Sequence, residues 1–321
     1  MRYERNLLAH PSSLTPHTSS LIPHLSSLKM KLAVFTVSLP EYTPEQAVQK
    51  LAGWGYDGIE WRVTDDPLMS GNGRTVAGHG TQIGFWSGNR CTLSLSSLIA
   101  DAPHIRALTE QAGLAMPNIG TYVSCEEPAL VEQAMLGVKA LGAPALRVRV
   151  PNYDGKQPYL TLRDNAIAQY RDVEAMAKRH GLKAMIEIHM NNIVPSASAA
   201  AQFAAHFDPR YVGIIHDAGN NVYEGYEQYR LGFEVLGPYL AHVHLKNAQW
   251  QITGTREDGS TAWQATWAPI QKGCVDLRRL LDALHAVGYD GWLAFEDFST
   301  EQPIDTRTQE NLAFVKKLLG S

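Results

Sequence analysis

Four side chains in the second half of this chain are of types that hold divalent cations, and each lies at the end of a short apolar run. Glu187 falls in AMIEIH, Asp217 in VGIIHDAGN, His244 in AHVHLKN and Glu296 in GWLAFED. Apolar runs rarely end in ionisable groups, because a buried charge needs a partner or a metal to offset its desolvation. Two glutamates, one aspartate and one histidine make a hard oxygen/nitrogen ligand set, suited to Mn²⁺, Mg²⁺, Co²⁺ or Zn²⁺. A cation held this way polarises a substrate carbonyl, and Glu187 or Glu296 could then remove the acidified neighbouring proton.

The flanking residues extend this set. Side chains alternate along a strand, so Glu187 and His189 face the same side, and His189 is a candidate for holding a substrate hydroxyl. Asp217 precedes Ala218-Gly219, a small turn that lets Asn220 approach the same place; the other role open to Asp217 is a helix N-cap. His242, His244 and Lys246 are in phase. His244, nearer the strand end, is expected to be the ligand, and the deeper His242 to support it or pack in the core. Lys246 would either stabilise an enolate oxygen or pair with a carboxylate. Asp297, opposite in phase to Glu296, is expected to face solvent or cap a helix. Glu60 in GIEWR and Arg149 in LRVRV end two earlier runs, either as a Glu–Arg pair below the site or as substrate contacts.

These residues are positioned by an alternation of short β-rich runs and longer helical patterns from Met30 onward, the signature of βαβ units on a parallel sheet. Strands are expected at 31–37, 57–63, 114–123, 145–150, 182–190, 211–217, 239–247 and 291–297. Helices are expected at 44–54, 98–112, 128–141, 160–180, 196–207, 225–236, 276–287 and 305–319. Thr43-Pro44-Glu45 supplies a cap with proline in the first turn, and Gly55, Gly113 and Gly181 supply stops. Eight such pairs without a linker predict one (β/α)8 TIM barrel domain, whose chemistry sits at the carboxyl ends of the strands. No GxGxxG follows the first strand to mark a dinucleotide fold. Two connections, 64–97 and 248–273, are longer than ordinary βα loops. The first carries Trp86, Asn89 and Arg90, the second Trp250, Trp263 and Trp267; these rings either line a sugar site, with Trp86 the leading candidate, or pack.

Composition narrows the classes. The net charge is −4 and the pI about 6.3, so a nucleic-acid binder relying on a strongly basic surface is not expected. Three cysteines without CxxC spacing fit a reduced, cytoplasmic setting. No apolar stretch is long enough for a membrane span. Residues 1–29, rich in Ser, Pro, His and Leu, read as an upstream translation-start extension or a disordered tail ahead of the barrel at 30–321. There is no GxSxG, HExxH or P-loop.

GYDGIEWR, the IEIH strand, the HDAGN turn, HVHLKN and GYDGWLAFED together resemble the sugar phosphate isomerase/epimerase group of the xylose isomerase-like TIM barrel superfamily, over Met30 to the end. The resemblance implies that Glu187, Asp217, His244 and Glu296 bind one divalent ion, with Mn²⁺ expected first and Co²⁺, Mg²⁺ or Zn²⁺ as alternatives. It also implies that the glutamates at 187 and 296 exchange a proton on opposite faces of the substrate. The ketose 3-epimerases of this group carry a histidine three residues after the metal aspartate, where this chain has Asn220. Endonuclease IV, of the same superfamily, uses further His and Asp ligands that are missing here. The expected activity is a metal-dependent isomerisation or epimerisation of a small carbohydrate or keto-polyol through a cis-enediolate. A dehydratase or 3-keto-glycoside eliminase on the same scaffold is the alternative. A small-molecule substrate is the expected partner, with no nucleic acid or membrane, and a homo-oligomer is compatible with the sequence.

Overall fold

A computed structural model describes residues 29–65, 84–86 and 88–320. The expected N-terminal extension, apart from Lys29, lies outside these residues, as does the middle of the first long loop. In chain order the strands are β1 (Lys31–Phe35), β2 (Gly58–Val63), β3 (Thr92–Leu93), β4 (Ile119–Thr121), β5 (Ala145–Arg147), β6 (Lys183–Glu187), β7 (Val212–Asp217), β8 (Leu240–Leu245), β9 (Ala248–Thr255), β10 (Thr261–Trp267) and β11 (Trp292–Phe295). Eight parallel strands run β1-β11-β8-β7-β6-β5-β4-β2, and pairing of β1 with β2 closes the barrel. The short β3 adds to β2 at Arg62 and Val63, beyond the register where β1 pairs with it.

Outside the barrel lie α1 (Pro44–Trp54), α2 (Leu98–Gln111), α3 (Pro128–Leu141), α4 (Tyr159–His180), α5 (Ala197–Ala204), α6 (Ala218–Tyr223), α7 (Tyr229–Leu236), α8 (Leu277–Ala286) and α9 (Ile304–Leu319). Local chemistry sets their ends. Thr43 and Gln46 form a reciprocal capping box at the start of α1. Gly55 closes that helix at φ 86°, a left-handed conformation that a side chain would strain. One apolar core fills the layer between strands and helices, with Trp61, Ile119 and Tyr170 fully buried in it. Cys91 and Cys125 are buried, Cys274 is exposed, and all three are free. No helix among the described residues is long and apolar enough to cross a membrane.

The structure departs from the expected elements in several places, among them the short β3 inside the first long connection and a β4 confined to Ile119–Thr121. The first strand ends at Phe35 and continues as a single tight turn over Thr36–Ser38. The helix expected at 225–236 is α7 alone, and a separate helix, α6, starts directly after Asp217, whose side chain accepts from the Asn220 N–H. The second long loop is a hairpin of β9 and β10. Its strands alternate apolar and polar residues, AQWQITGT against TAWQATW, around a turn with Gly259 at φ 81°. That two-residue period is a strand signal, and loop length alone obscured it.

The barrel interior is polar toward the carboxyl ends of its strands. Gly120 on β4 makes room there for the Phe35 ring, because a Cβ at 120 would overlap its edge. Phe35 in turn stacks on His244, with ring centroids 5.6 Å apart.

Candidate metal centre

The carboxyl ends of β6, β7, β8 and β11 bring Glu187, Asp217, His244 and Glu296 together. Asp217 pairs in register with His244, and the Glu296 N–H donates to the Leu245 carbonyl one step beyond β11. One donor atom from each of the four lies within 4.8 Å of the others, and all four residues are buried. His244 Nδ1 is 3.0 Å from Glu187 Oε1 and 3.7 Å from both Asp217 Oδ2 and Glu296 Oε2.

Each member is held from behind. Glu187 Oε2 accepts from Arg147 Nη1, and Arg147 Nε donates to the Thr121 carbonyl. The guanidinium lies between the rings of Tyr122 and Phe35, 4.5 and 5.4 Å from their centroids. Glu296 Oε2 accepts from Lys246 Nζ at 2.8 Å, which also donates to Asn220 Oδ1 at 3.0 Å. The Lys246 ammonium sits over Trp267 and Phe298. His244 Nε2 is 3.3 Å from Glu60 Oε2, which is also 3.0 Å from His242 Nε2, and Glu60 Oε1 accepts from Asn118. A carboxylate on the far nitrogen of an imidazole is the usual device for fixing the ring orientation of a metal-binding histidine.

Two observations show that this set fits a divalent ion. Asp217 Oδ1 is satisfied by the Asn220 N–H, but its buried Oδ2, 3.7 Å from His244 Nδ1 and 3.6 Å from Lys246 Nζ, accepts no hydrogen bond from the described residues. Such an orphan costs free energy unless something else binds it. The cluster also holds four carboxylates, of Glu60, Glu187, Asp217 and Glu296, against the fixed cations Arg147 and Lys246. With His244 neutral, as a metal ligand must be, two negative charges are left over, the charge of one dication; without an ion a proton on His244 offsets one of them.

Proton affinities follow the same imbalance. Burial pushes the Asp217 carboxyl up to about 6, aided by Glu296 and Glu187 and opposed by Lys246. Burial also works against ionised Glu187, but Arg147 and His244 hold it well below the usual carboxylate range. Glu296, likewise desolvated, is brought down to about 2 chiefly by Lys246. Burial disfavours charged His244, yet the surrounding carboxylates raise its basicity well above that of free imidazole.

Asn220 and Lys246, both named from sequence, meet each other at the site. His189 is half-buried beside Glu187, with Nδ1 2.7 Å from the Met190 carbonyl. Trp86 packs on Phe85 and, at 5.0 Å, on Phe298, so it builds the aromatic wall that carries Lys246. Of the two earlier strand-end residues, Glu60 is engaged by Asn118, His242 and His244. Glu60 lies under the two histidines, and the guanidinium at the carboxylates is Arg147, in phase with Arg149 but one turn of the pleat deeper. Asp297, expected to face solvent or cap a helix, is buried and accepts from Ser299 N and Asn311 Nδ2, tying β11 to α9. Arg147, Tyr122 and Asn118 were not singled out in the sequence, although two arginines in phase in LRVRV were a usable signal.

A sequence model described as xylose isomerase-like TIM barrel matches residues 48–318. The chain belongs to this family. An inosose dehydratase of Geobacillus thermodenitrificans is 26% identical over 129 residues, 38% of this chain and 42% of that protein. The chain thus matches less than half the length of that curated relative. Among solved structures, the Escherichia coli 3-keto-D-glucoside 4-epimerase superimposes with a TM-score of 0.63 at 15% identity, over 90% of this chain and 100% of that one. A Mycobacterium smegmatis xylose isomerase-like TIM barrel protein in complex with magnesium gives 0.61 at 16% identity, over 90% and 96%. These likenesses establish the barrel fold.

Proposed function

We propose that this chain isomerises or epimerises a small carbohydrate or keto-polyol by removing a proton next to a carbonyl. The observation that carries the reading is the convergence of Glu187, Asp217, His244 and Glu296 on a point where Asp217 Oδ2 accepts no hydrogen bond from the described residues, although Lys246 Nζ and His244 Nδ1 stand 3.6 and 3.7 Å away. These four residues would hold one divalent ion, Mn²⁺ in the first instance. When bound, that ion would polarise the substrate carbonyl as a Lewis acid.

The protein's own groups supply the rest. Glu187 and Glu296 come from β6 and β11, with β7 and β8 between them, so two carboxylates reach the site from separated parts of the wall. Arg147 and Lys246 keep both ionised, as a general base must be. One glutamate would take the proton and the other return it, giving an epimer at the same carbon or an isomer at the next. The Lys246 ammonium, fixed over Trp267 and Phe298, would stabilise negative charge on the substrate oxygen. His189, Asn220 and Arg149 are proposed to hold hydroxyls. Glu60 would act through His244, and Trp86 through the aromatic wall.

The likeness to an inosose dehydratase favours a second reading, a lyase that begins with the same proton abstraction and then expels a β-leaving group, with His189 as the acid. A panel of keto-sugars and keto-polyols, incubated with protein and Mn²⁺ in deuterated water and followed by proton NMR, separates the two. Exchange at one carbon without loss of water supports isomerisation; an unsaturated product absorbing in the ultraviolet supports the lyase. If no compound exchanges a C–H proton, both readings fail.

A further inference from the structure

The β9–β10 hairpin carries a feature that the proposed chemistry does not use. In its register Ala248 faces Trp267, Trp250 faces Ala265 and Ile252 faces Trp263. Residues opposite each other in an antiparallel pair share a face, and so do every-second residues along a strand. All six therefore lie on one apolar side, while Gln249, Gln251, Gln264 and Thr266 occupy the other. The inner end of this side is part of the site: Trp267 lies under the Lys246 ammonium, 4.3 Å from its ring centroid, and packs on Tyr223 and Phe298. The outer end is open. Trp250, Ile252 and Trp263 remain 46%, 63% and 52% exposed.

Exposed tryptophans on a projecting hairpin need a reason, and the magnitudes select one. These three side chains offer roughly 250–350 Å² of apolar surface. A stable interface between two copies of the chain needs about 800 Å² per partner. The face is therefore too small for a specific dimer and large enough for one or two rings of a small ligand. It is also ordered in advance, since Trp250 Nε1 donates to the Val222 carbonyl at the end of α6, 2.8 Å away. Rings already held in position lower the entropic cost of binding. Same-face residues repeat about every 7 Å along a strand, so the Trp250 rung lies about 7 Å from Trp267 and the Trp263 rung about 14 Å.

We infer that this face is an outer subsite for the second ring of a glycoside, whose first ring occupies the site beside Lys246. A pyranose turns a weakly polar C–H face toward an aromatic plane and keeps its hydroxyls at the edge; an aryl aglycone offers the same flat face. The substrate class is thus a keto-sugar bearing a ring substituent rather than a free monosaccharide. This inference rests on the carbohydrate reading of the metal centre.

Binding of the 3-keto derivatives of methyl glucoside, phenyl glucoside and cellobiose, measured by saturation-transfer NMR with the full chain, tests it. Wild-type protein is expected to bind the phenyl or cellobiose compound about tenfold more tightly than the methyl compound, with saturation reaching second-ring protons. Whichever of the two shows the gain identifies the ring as aryl or sugar. The double variant Trp250→Ala/Trp263→Ala is expected to lose that gain and to bind the methyl compound as before, and Trp263→Ala alone, at an exposed position, to lose part of it. Equal binding of all three compounds by wild type, or an unchanged preference in the double variant, overturns the subsite. So does sedimentation showing a wild-type dimer that the double variant dissociates. If two-ring ligands bind through the tryptophans while no keto-sugar exchanges a proton, the catalytic reading falls and the subsite stands. Exchange on monosaccharides with no advantage for a second ring has the opposite meaning.

Discussion

Replacing Arg147 with methionine isolates the electrostatic support of the site. Arg147 is 5% exposed and its guanidinium neutralises the equally buried carboxylate of Glu187. Methionine follows the same path between Tyr122 and Phe35, so the packing loss is small and the charge loss dominates. Removing one partner of a buried ion pair costs about 3–5 kcal/mol, because the remaining charge is stranded. Against a whole-domain stability of about 5–15 kcal/mol, that is a large fraction. The assay is urea unfolding followed by far-ultraviolet circular dichroism in EDTA, for wild type, Arg147→Met, Glu187→Gln and the double variant. Arg147→Met should fall by about 3 kcal/mol or more. Adding Glu187→Gln should recover most of the loss, since a neutral amide needs no counter-charge. Saturating Mn²⁺ should narrow the gap between Arg147→Met and wild type. A loss below about 1 kcal/mol for Arg147→Met, or a Glu187→Gln change that destabilises both backgrounds equally, would refute the account.

Two further outcomes follow from the packing and from a surface network. Gly120→Ala should cost about 1–3 kcal/mol by overpacking, because the new methyl meets the Phe35 ring, and should lower divalent-ion affinity by tilting the stack of Phe35 on His244; ion affinity equal to wild type would show that the stack does not position His244. Glu132 on α3 accepts from Arg179 and His180 in the last turn of α4; partial burial raises its carboxyl pKa, but these partners hold it below its ordinary 4.5. A carboxylate with a lowered folded-state pKa adds stability above the unfolded-state value and loses it as pH falls through the lowered one. Glu132→Gln should therefore cost about 0.5–1 kcal/mol near neutrality and nothing in strong acid, read as the difference in thermal unfolding against pH; a difference flat in pH would count against the network.

What the sequence makes legible here follows from the range of the forces involved. Helix ends set by local capping, such as Thr43 with Gln46 at one end of α1 and Gly55 at the other, can be read from a few neighbouring residues. The four carboxylate and imidazole groups stand out because ionisable residues interrupt apolar runs. The hairpin's period of two was present in AQWQITGT and TAWQATW, but a stretch of that length between a strand and a helix looks like a loop until its residues are paired. The choice between Arg147 and Arg149 depends on depth in the barrel, which alternation cannot supply, since both face the same way. Glu60 is similar: its partners His242 and His244 are more than 180 residues away, brought to it only by closure of the barrel.

Asn220 weighs on the choice between the two chemistries. Its backbone N–H donates to Asp217 Oδ1, its Nδ2 to the Ile188 carbonyl, and its Oδ1 accepts from Lys246. An amide can donate and accept at once in this way. Asparagine at 220 and lysine at 246 are joined by a hydrogen bond that holds the ammonium in place. Carboxylates surrounding Lys246 more than offset its burial and raise its pKa, so in the proposed reaction it would act on an oxyanion by charge rather than by proton transfer. A lyase needs a separate acid for its leaving group. His189 is the available group, and burial lowers its pKa despite Glu187. The proposed isomerisation needs only Glu187 and Glu296 for proton transfer, whereas the lyase reading also needs His189 as acid, so His189→Gln should weaken the first activity and abolish the second, read by deuterium exchange and by ultraviolet absorbance of an unsaturated product.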